Sequence, residues 1–253
     1  MIAVSYFADE KLTTMKTVAN KIEVPPCEKC ENLSSSIFCS LSKPEIGQMS
    51  HAKSFNLYKK GQVIFYEGNM PQGLYCIYSG KVKIHKLGDD GKEQIVRLAK
   101  KGNVLGYRAL LSSDNYFATA TALENTLVCF FPKNMYMNLL ENNSQFSMKT
   151  IQMLSSDLRI AEQMITNMAQ KHVRERMAEA LLLLREFFGM EDDNATINTI
   201  LTREDIGNIA GTTTETSIRI LSELNKSKLI KLNGKKIKIL NHKELLKIAN
   251  VSD

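Results

Sequence analysis

Between residues 55 and 131 the apolar positions alternate or come in short bursts. "QVIFYEG", "GLYCIYSGKVKIHKL", "EQIVRLA" and "FATATALENTLVCFF" are rich in β-branched and aromatic residues and are punctuated by glycines, a pattern that predicts strands. "GDDG" at 88–91, between two such runs, predicts a hairpin turn. Many short strands at short intervals predict a β-roll, jelly roll or barrel. From Pro132 the period changes. Ile151, Leu154, Leu158, Ala161, Ile165 and Met168 follow one another at 3-4-3-4-3 spacing, an a/d seam on one long helix. A helix packed on its own β-domain gives such a stripe too. The narrowness of this one favours a helix–helix seam, with Ile160 and Met164 widening it toward the β-domain.

A second helix is expected at about Val173–Phe188, where "MAEALLLLREFF" is strongly apolar, and "GMEDDNAT" then makes a loop. The next stretch, "TREDIGNIAGTTTETSIRILSELNKSKLI", has helix-turn-helix spacing. Thr202 is a good N-cap with Asp205 three residues on. Ile206, Ile209 and Ala210 give the first helix one apolar face, Gly211 allows a sharp turn, and Thr212 or Thr213 caps a second helix with Ile218, Leu221 and Leu224 inward. That second helix begins with groups suited to base edges and phosphates: Thr213, Thr214, Glu215, Ser217 and Arg219. Glu accepts from a cytosine amino group and Arg forks onto guanine. "IKLNGKKIKIL" predicts a hairpin about Asn233-Gly234, with Lys231, Lys235 and Lys236 placed as a wing near phosphates.

Charge sharpens this reading. The chain of 253 residues carries +6, a mild hint of a polyanionic partner. Residues 202–250 hold ten Lys/Arg against five Asp/Glu, so most of the excess lies on the helix-turn-helix unit. Neither a signal peptide nor a membrane span is expected, which points to the cytoplasm. There, clustered cysteines read more readily as metal ligands or redox groups than as structural bridges. Three of the five cysteines fall in "CEKCENLSSSIFC", from Cys27 to Cys39. No Ser-His-Asp set, P-loop or GxGxxG is present, and the four histidines are scattered, so no residues support an enzyme.

The chain resembles the Crp/Fnr bacterial transcription regulators over nearly its whole length. "TREDIGNIAGTTTETSIRIL" is similar to that family's helix-turn-helix. "KKGQVIFYEGNMPQGLYCIYSGKVKIHK" is similar to its cyclic-nucleotide-binding-type β-roll, and the 3-4 helix falls where the family has its dimer helix. The implied fold is α+β: an N-terminal cyclic-nucleotide-binding-type β-roll, a long dimerisation helix and a C-terminal winged helix-turn-helix. The expected divisions are 1–42 (Cys-containing segment), 43–142 (β-roll, opening with a short helix at Lys43–His51), 143–170 (dimerisation helix) and 171–253 (DNA-binding domain). The resemblance implies a homodimer on double-stranded DNA with a two-fold symmetric site, and puts Arg203, Glu215 and Arg219 at DNA-contacting positions. In the FNR branch a Ser directly precedes the recognition Arg; here Ile218 does, so the half-site is expected to differ at one base. The resemblance also implies that the hairpin tip, Asp89 and Asp90, meets RNA polymerase, although a solvated turn explains these residues equally well.

Cyclic AMP is not the expected signal, because Tyr107 and Tyr116 stand where the cyclic-AMP-binding members carry the Glu for the ribose and the Arg for the phosphate. The resemblance to the oxygen-sensing FNR proteins implies instead a [4Fe–4S] cluster on Cys27, Cys30, Cys39 and Cys129. Eight residues separate Cys30 from Cys39, a longer interval than in the FNR type. Four thiolates also suit zinc, and Cys39 and Cys129 have apolar neighbours that suit buried thiols. Cys76 is read as core of the roll. The alternatives are a regulator of this family with a zinc or thiol switch, another effector or none, and a cytosolic zinc- or ligand-binding protein whose basic C-terminus is incidental.

Overall fold

The computed structural model describes residues 24–251; the stretch before them, where no signal peptide is expected, lies outside the described residues. Two short 3-10 turns, Cys27–Lys29 and Ile37–Ser40, lead into helix α1 (Lys43–Ala52). Ser42 and Glu45 close a capping box at the start of α1, with Pro44 in its first turn.

Eight strands then form two four-stranded sheets: β1 (Ser54–Tyr58), β2 (Val63–Phe65), β3 (Gly73–Ser79), β4 (Lys81–Leu87), β5 (Glu93–Lys100), β6 (Val104–Leu105), β7 (Thr119–Ala122) and β8 (Thr126–Pro132). The orders are β1-β8-β3-β6 and β2-β7-β4-β5. Ile77, Val82, Leu105, Ala120 and Val128 fill the space between the sheets. Strand residues alternate between faces, so Leu74, Cys76, Cys129 and Phe131 point out of the roll. There they meet Phe38, Met49, Tyr136 and Phe146. A short helix α2 (Tyr107–Ser112) interrupts the strands, and α3 (Lys133–Asn142) follows β8 directly. Neither helix is legible in the apolar periodicity, because one is only six residues long and the other is capped by the Pro that ends β8.

The long helix α4 (Ser144–Gln170) and α5 (Val173–Phe188) follow. The C-terminal domain adds α6 (Arg203–Ala210), α7 (Thr214–Lys226), β9 (Ile230–Asn233), β10 (Lys236–Ile239) and α8 (His242–Ala249). Its core is formed by Met177, Leu181, Leu184, Ile206, Leu221, Leu224 and Leu245. Helix α8, which the basic tail's pattern does not announce, closes this core by packing on α5. No helix among the described residues is long and apolar enough to cross a membrane.

Candidate functional site

Two places on the chain carry chemistry. The first is the surface formed by α6, α7 and the β9–β10 wing. Thr202 and Asp205 close a capping box on α6, and Gly211 ends the helix with φ of +64°. A side chain at Gly211 would be strained, and its Cβ would lie 2.6 Å from Met168 Sδ. Thr213 caps α7 by accepting from the Thr216 N–H. Glu215 and Arg219 stand exposed on one face of α7, with Arg219 donating to Glu223 at 2.7 Å.

The inward face of α7 differs from expectation. Ser217, Ile220, Leu221 and Leu224 are buried, while Ile218 is 50% exposed. The helix therefore turns its i, i+3, i+4, i+7 row inward from Ser217. The Ser217 hydroxyl donates to the Arg203 carbonyl at 2.9 Å, which ties α7 to α6 and removes Ser217 from the DNA-facing set. Ile218 instead shares the outer face with Glu215 and Arg219. Arg203 donates through Nη2 to the Gly234 carbonyl at 2.7 Å and so joins α6 to the wing tip. The wing's two-residue loop is Gly234-Lys235, one place later than read from the sequence, because Asn233 still pairs with Lys236. Lys235 and Lys236 are exposed, and Lys236 is 2.7 Å from Glu191.

This unit is docked on the roll. Lys83 Nζ lies 2.6 Å from Glu93 and 3.1 Å from Asp205, and the Gln94 amide donates to the Asn208 carbonyl at 2.7 Å. The Asp205 carboxyl is held below its ordinary value: burial opposes this, but bonds from Thr202 and the Lys83 charge outweigh it. Asp89 and Asp90 are exposed on the β4–β5 turn, where Asp90 pairs with Lys92.

At the positions that a cyclic nucleotide would use, Tyr107 is buried and Tyr116 stacks on Phe65 with centroids 4.0 Å apart. The Tyr107 hydroxyl donates to Asp157 of α4. Arg97 and Arg108 also donate to Asp157, at 3.0 and 2.9 Å. Burial pushes the Asp157 carboxyl up against the pull of Arg97. Beyond this anchor, α4 is largely bare. Ile151, Leu158, Ala161 and Ile165 are exposed, whereas Leu154 and Met168 are half-buried. Leu154 leans on the outer core of the roll and Met168 on Gly211, so only part of the expected seam is free. Ile160 does not widen the contact with the roll; it is 52% exposed.

The second place is a cavity of about 30 Å³ between the N-terminal turn and the outward face of the β1-β8-β3-β6 sheet. Cys27, Cys30, Cys76 and Cys129 line it, with Lys53 among the other lining residues. The Cys30 N–H donates to the Cys27 carbonyl at 3.1 Å in a 3-10 turn. Residues three apart in such a turn eclipse, so Cys27 and Cys30 lie on the same side of it. Cys76 and Cys129 are direct partners across the antiparallel β3–β8 pair, which puts their side chains on the same face, with Cβ atoms roughly 5 Å apart.

Cys39 is not in this group. It is exposed, because Phe38 occupies the inward direction of the 3-10 turn and stacks on Phe146 with centroids 5.8 Å apart. Cys76, read as core of the roll, packs against the apolar cluster on the roll's outer face. Of the expected set, Cys27, Cys30 and Cys129 line this cavity and Cys39 does not. Burial raises the Cys27 thiol against the Lys53 charge, pushes Cys129 up to about 11, and raises Cys76 most strongly of the three, where the charges of Cys129, Cys30 and Cys27 add to it. Thiols raised in this way stay protonated until a metal replaces the protons. Among the described residues no group of three or more His, Cys, Asp or Glu is already set to hold a metal ion, so closing on one requires the thiols to turn inward.

Comparison with known proteins agrees with this architecture. Residues 55–143 match the cyclic nucleotide-binding domain and residues 175–248 the Crp-like helix-turn-helix domain. The fumarate and nitrate reduction regulatory protein of Vibrio cholerae is 30% identical over 94% of this chain and 97% of its own. Its Escherichia coli K12 counterpart is 28% identical over 92% and 96%. The structure of FixK2 from Bradyrhizobium japonicum superposes with a TM-score of 0.70 at 25% identity, covering 79% of this chain and 99% of that one. The chain belongs to the Crp/Fnr family, as a DNA-binding transcription regulator of the FNR branch and not an enzyme.

Proposed function

We propose that this regulator senses oxygen or redox state through a [4Fe–4S] cluster held by cysteine thiolates, among them Cys27, Cys30 and Cys129, and passes the signal to a homodimer on a two-fold symmetric DNA site. The observation that carries this reading is the convergence of those thiols on one cavity beside the sheet. The donor set fits: all-thiolate surroundings suit iron–sulfur centres, and the Lys53 ammonium offsets negative charge at Cys27 and Cys129. Room for a cubane must come from the Cys27–Lys29 turn stepping back from the sheet, since the cavity is only about 30 Å³. When bound, the cluster would supply reactivity toward oxygen. The chain's own residues hold the two ends of the relay: the thiols link the N-terminal turn to β3 and β8, and Asp157 links the roll to α4. Cyclic AMP is not the signal in this reading, because Tyr116, stacked on Phe65, stands where the cyclic-AMP-binding members carry the Arg for the phosphate.

On DNA, Glu215, Ile218 and Arg219 face the bases from α7, with Thr213 and Thr214 at its start. Arg203, Lys235 and Lys236 serve the backbone, and Asp89 at the hairpin tip is offered to RNA polymerase. The exposed stripe Ile151, Leu158, Ala161 and Ile165 pairs with the same stripe of a second copy. Purification without oxygen, followed by iron and sulfide analysis, tests the sensor: brown protein that bleaches in air is expected, and colourless protein without iron contradicts it. A second reading is a single zinc ion on the same thiols, favoured by the cavity's small volume.

A further inference from the structure

We propose that the groove between α4 and the DNA-binding domain is a binding site for an amphipathic monocarboxylate, a small molecule with one carboxylate on an apolar body. The cavity there is about 650 Å³, within the range of small-molecule sites and far larger than the thiol cavity. Its apolar wall is formed by Ile160 and Met164 of α4, Leu182 and Leu183 of α5, Met190, and Leu246 of α8. Ile160 and Leu183 are 52% and 42% exposed, so part of this wall meets water. The proposal concerns neither the thiols nor any metal, and it stands or falls apart from the sensor reading.

Charge decides the class of ligand. Arg159, Arg176 and Arg185 line the groove, against Glu179 and Glu186. Glu179 is already taken, by Lys171 at 3.0 Å and by the Asn167 amide at 2.7 Å. Arg176 donates to the carbonyls of Ala210, Lys171 and Gly211, which satisfies its hydrogen bonds and leaves its charge uncompensated. Arg185 is half-buried and meets His242 Nε2 at 2.9 Å, a ring nitrogen that accepts only when the imidazole is neutral. Among the described residues the arginine ion pairs are those of Arg97, Arg108 and Arg219, so none of the three groove arginines has a carboxylate partner. A cation drawn partly out of water is stabilised by an anion beside it, and a guanidinium takes a carboxylate through two parallel bonds. A second copy pairing through α4 would not fill the groove. At 3.6 residues per turn, Ile160, Gln163, Met164 and Asn167 lie on the opposite side of α4 from Ile151, Leu158, Ala161 and Ile165. A molecule bound here joins α4 to α5 and α8 across the joint at Lys171-His172.

The test uses the full chain and cis-parinaric acid, a carboxylate whose fluorescence rises in apolar surroundings. It is displaced by dodecanoate or by the neutral dodecanol, both kept below the concentrations at which they aggregate. Dodecanoate is expected to bind at least about tenfold more tightly than dodecanol, a difference of about 1.4 kcal/mol, and to slow hydrogen exchange at residues 160–167. Arg185→Gln should remove the tenfold preference and leave dodecanol unchanged. Leu183→Glu, at an exposed position that the fold tolerates, should abolish binding of both, and it keeps the test open should Arg185→Gln fail to fold. No fluorescence rise with cis-parinaric acid overturns the proposal. So does equal displacement by acid and alcohol that Arg185→Gln leaves unchanged, which marks unspecific apolar adsorption. A wild-type dimer that Leu183→Glu dissociates in sedimentation also overturns it, because a second copy would then cover the groove.

Discussion

Arg219 and Glu215 lie exposed on α7 one turn apart, and Arg219 is held by Glu223 rather than by anything in the core. Removing its side chain therefore leaves the fold alone. Arg219→Ala is expected to cost about 1–3 kcal/mol on the specific site and to relax discrimination at one base pair. Lys235→Ala should weaken all sequences alike and lower the salt slope by about one. Both are read by fluorescence anisotropy on duplexes selected from a random pool. Ile218 is a methyl-bearing side chain on the same face, suited to a thymine methyl; Ile218→Ser should change the preferred base at one position per half-site, and selection with the variant checks it. Ser217→Ala acts differently: it leaves the Arg203 carbonyl without its donor and should lower stability by about 0.5–1.5 kcal/mol, measured by urea unfolding. At this scale a side chain's direction is legible in the sequence where chemistry and exposure coincide and hidden where they part. Ser217 and Cys39 are both polar enough to suggest contact with a partner, yet one faces the core and the other faces solvent. Only the phase of the neighbouring apolar residues, Ile220 and Phe38, decides their direction, and that phase follows from tertiary packing.

Among the elements, the strands of the roll, α5 and the helix-turn-helix were legible because their apolar periods are regular and their turns carry Gly and Thr at the required places. Helices α2, α3 and α8 were not, being short or attached directly to a strand. Of the expected seam on α4, Ile151, Leu158, Ala161 and Ile165 are exposed, whereas Leu154 and Met168 lie against their own chain. Contacts between elements were outside the reach of periodicity. Asp157 takes bonds from Arg97, Arg108 and Tyr107, and Asp157→Asn should loosen α4 from the roll at about 1.5–3 kcal/mol, the range for hydrogen bonds to charged groups; hydrogen exchange along α4 reads this. Asp205 docks the helix-turn-helix on Lys83 with its folded value below the ordinary 3.8. A carboxylate depressed in the folded state stabilises above its unfolded value and loses that contribution as pH falls through the folded one. The docking is thus expected to be intact at neutral pH and to weaken only in acid below about pH 3.8, and Asp205→Asn should weaken it at all pH values above that, by protection of α6 amides.

For the whole molecule, the proposed function couples the thiol cavity to the apolar stripe on α4. The stripe of Ile151, Leu158, Ala161 and Ile165 carries no charge, so nothing in it opposes pairing of two copies. A dimer is expected even without metal, and Ala161→Asp should push the metal-free protein toward monomer in sedimentation at micromolar concentration. On the proposed function, sensing would then act by moving the helix-turn-helix units relative to the roll, through the Asp157 and Asp205 contacts, rather than by assembling the dimer. A ligand shifts such an equilibrium only by its differential affinity for the two arrangements, so loss of the metal centre must change DNA affinity while leaving the dimer in place. The most direct measurement follows one anaerobic sample, bound to a selected symmetric duplex, through the admission of air, recording anisotropy, visible absorption and sedimentation together. The account predicts that affinity falls at least tenfold, about 1.4 kcal/mol, as the visible absorption is lost and the dimer persists. Unchanged affinity after complete bleaching would contradict it.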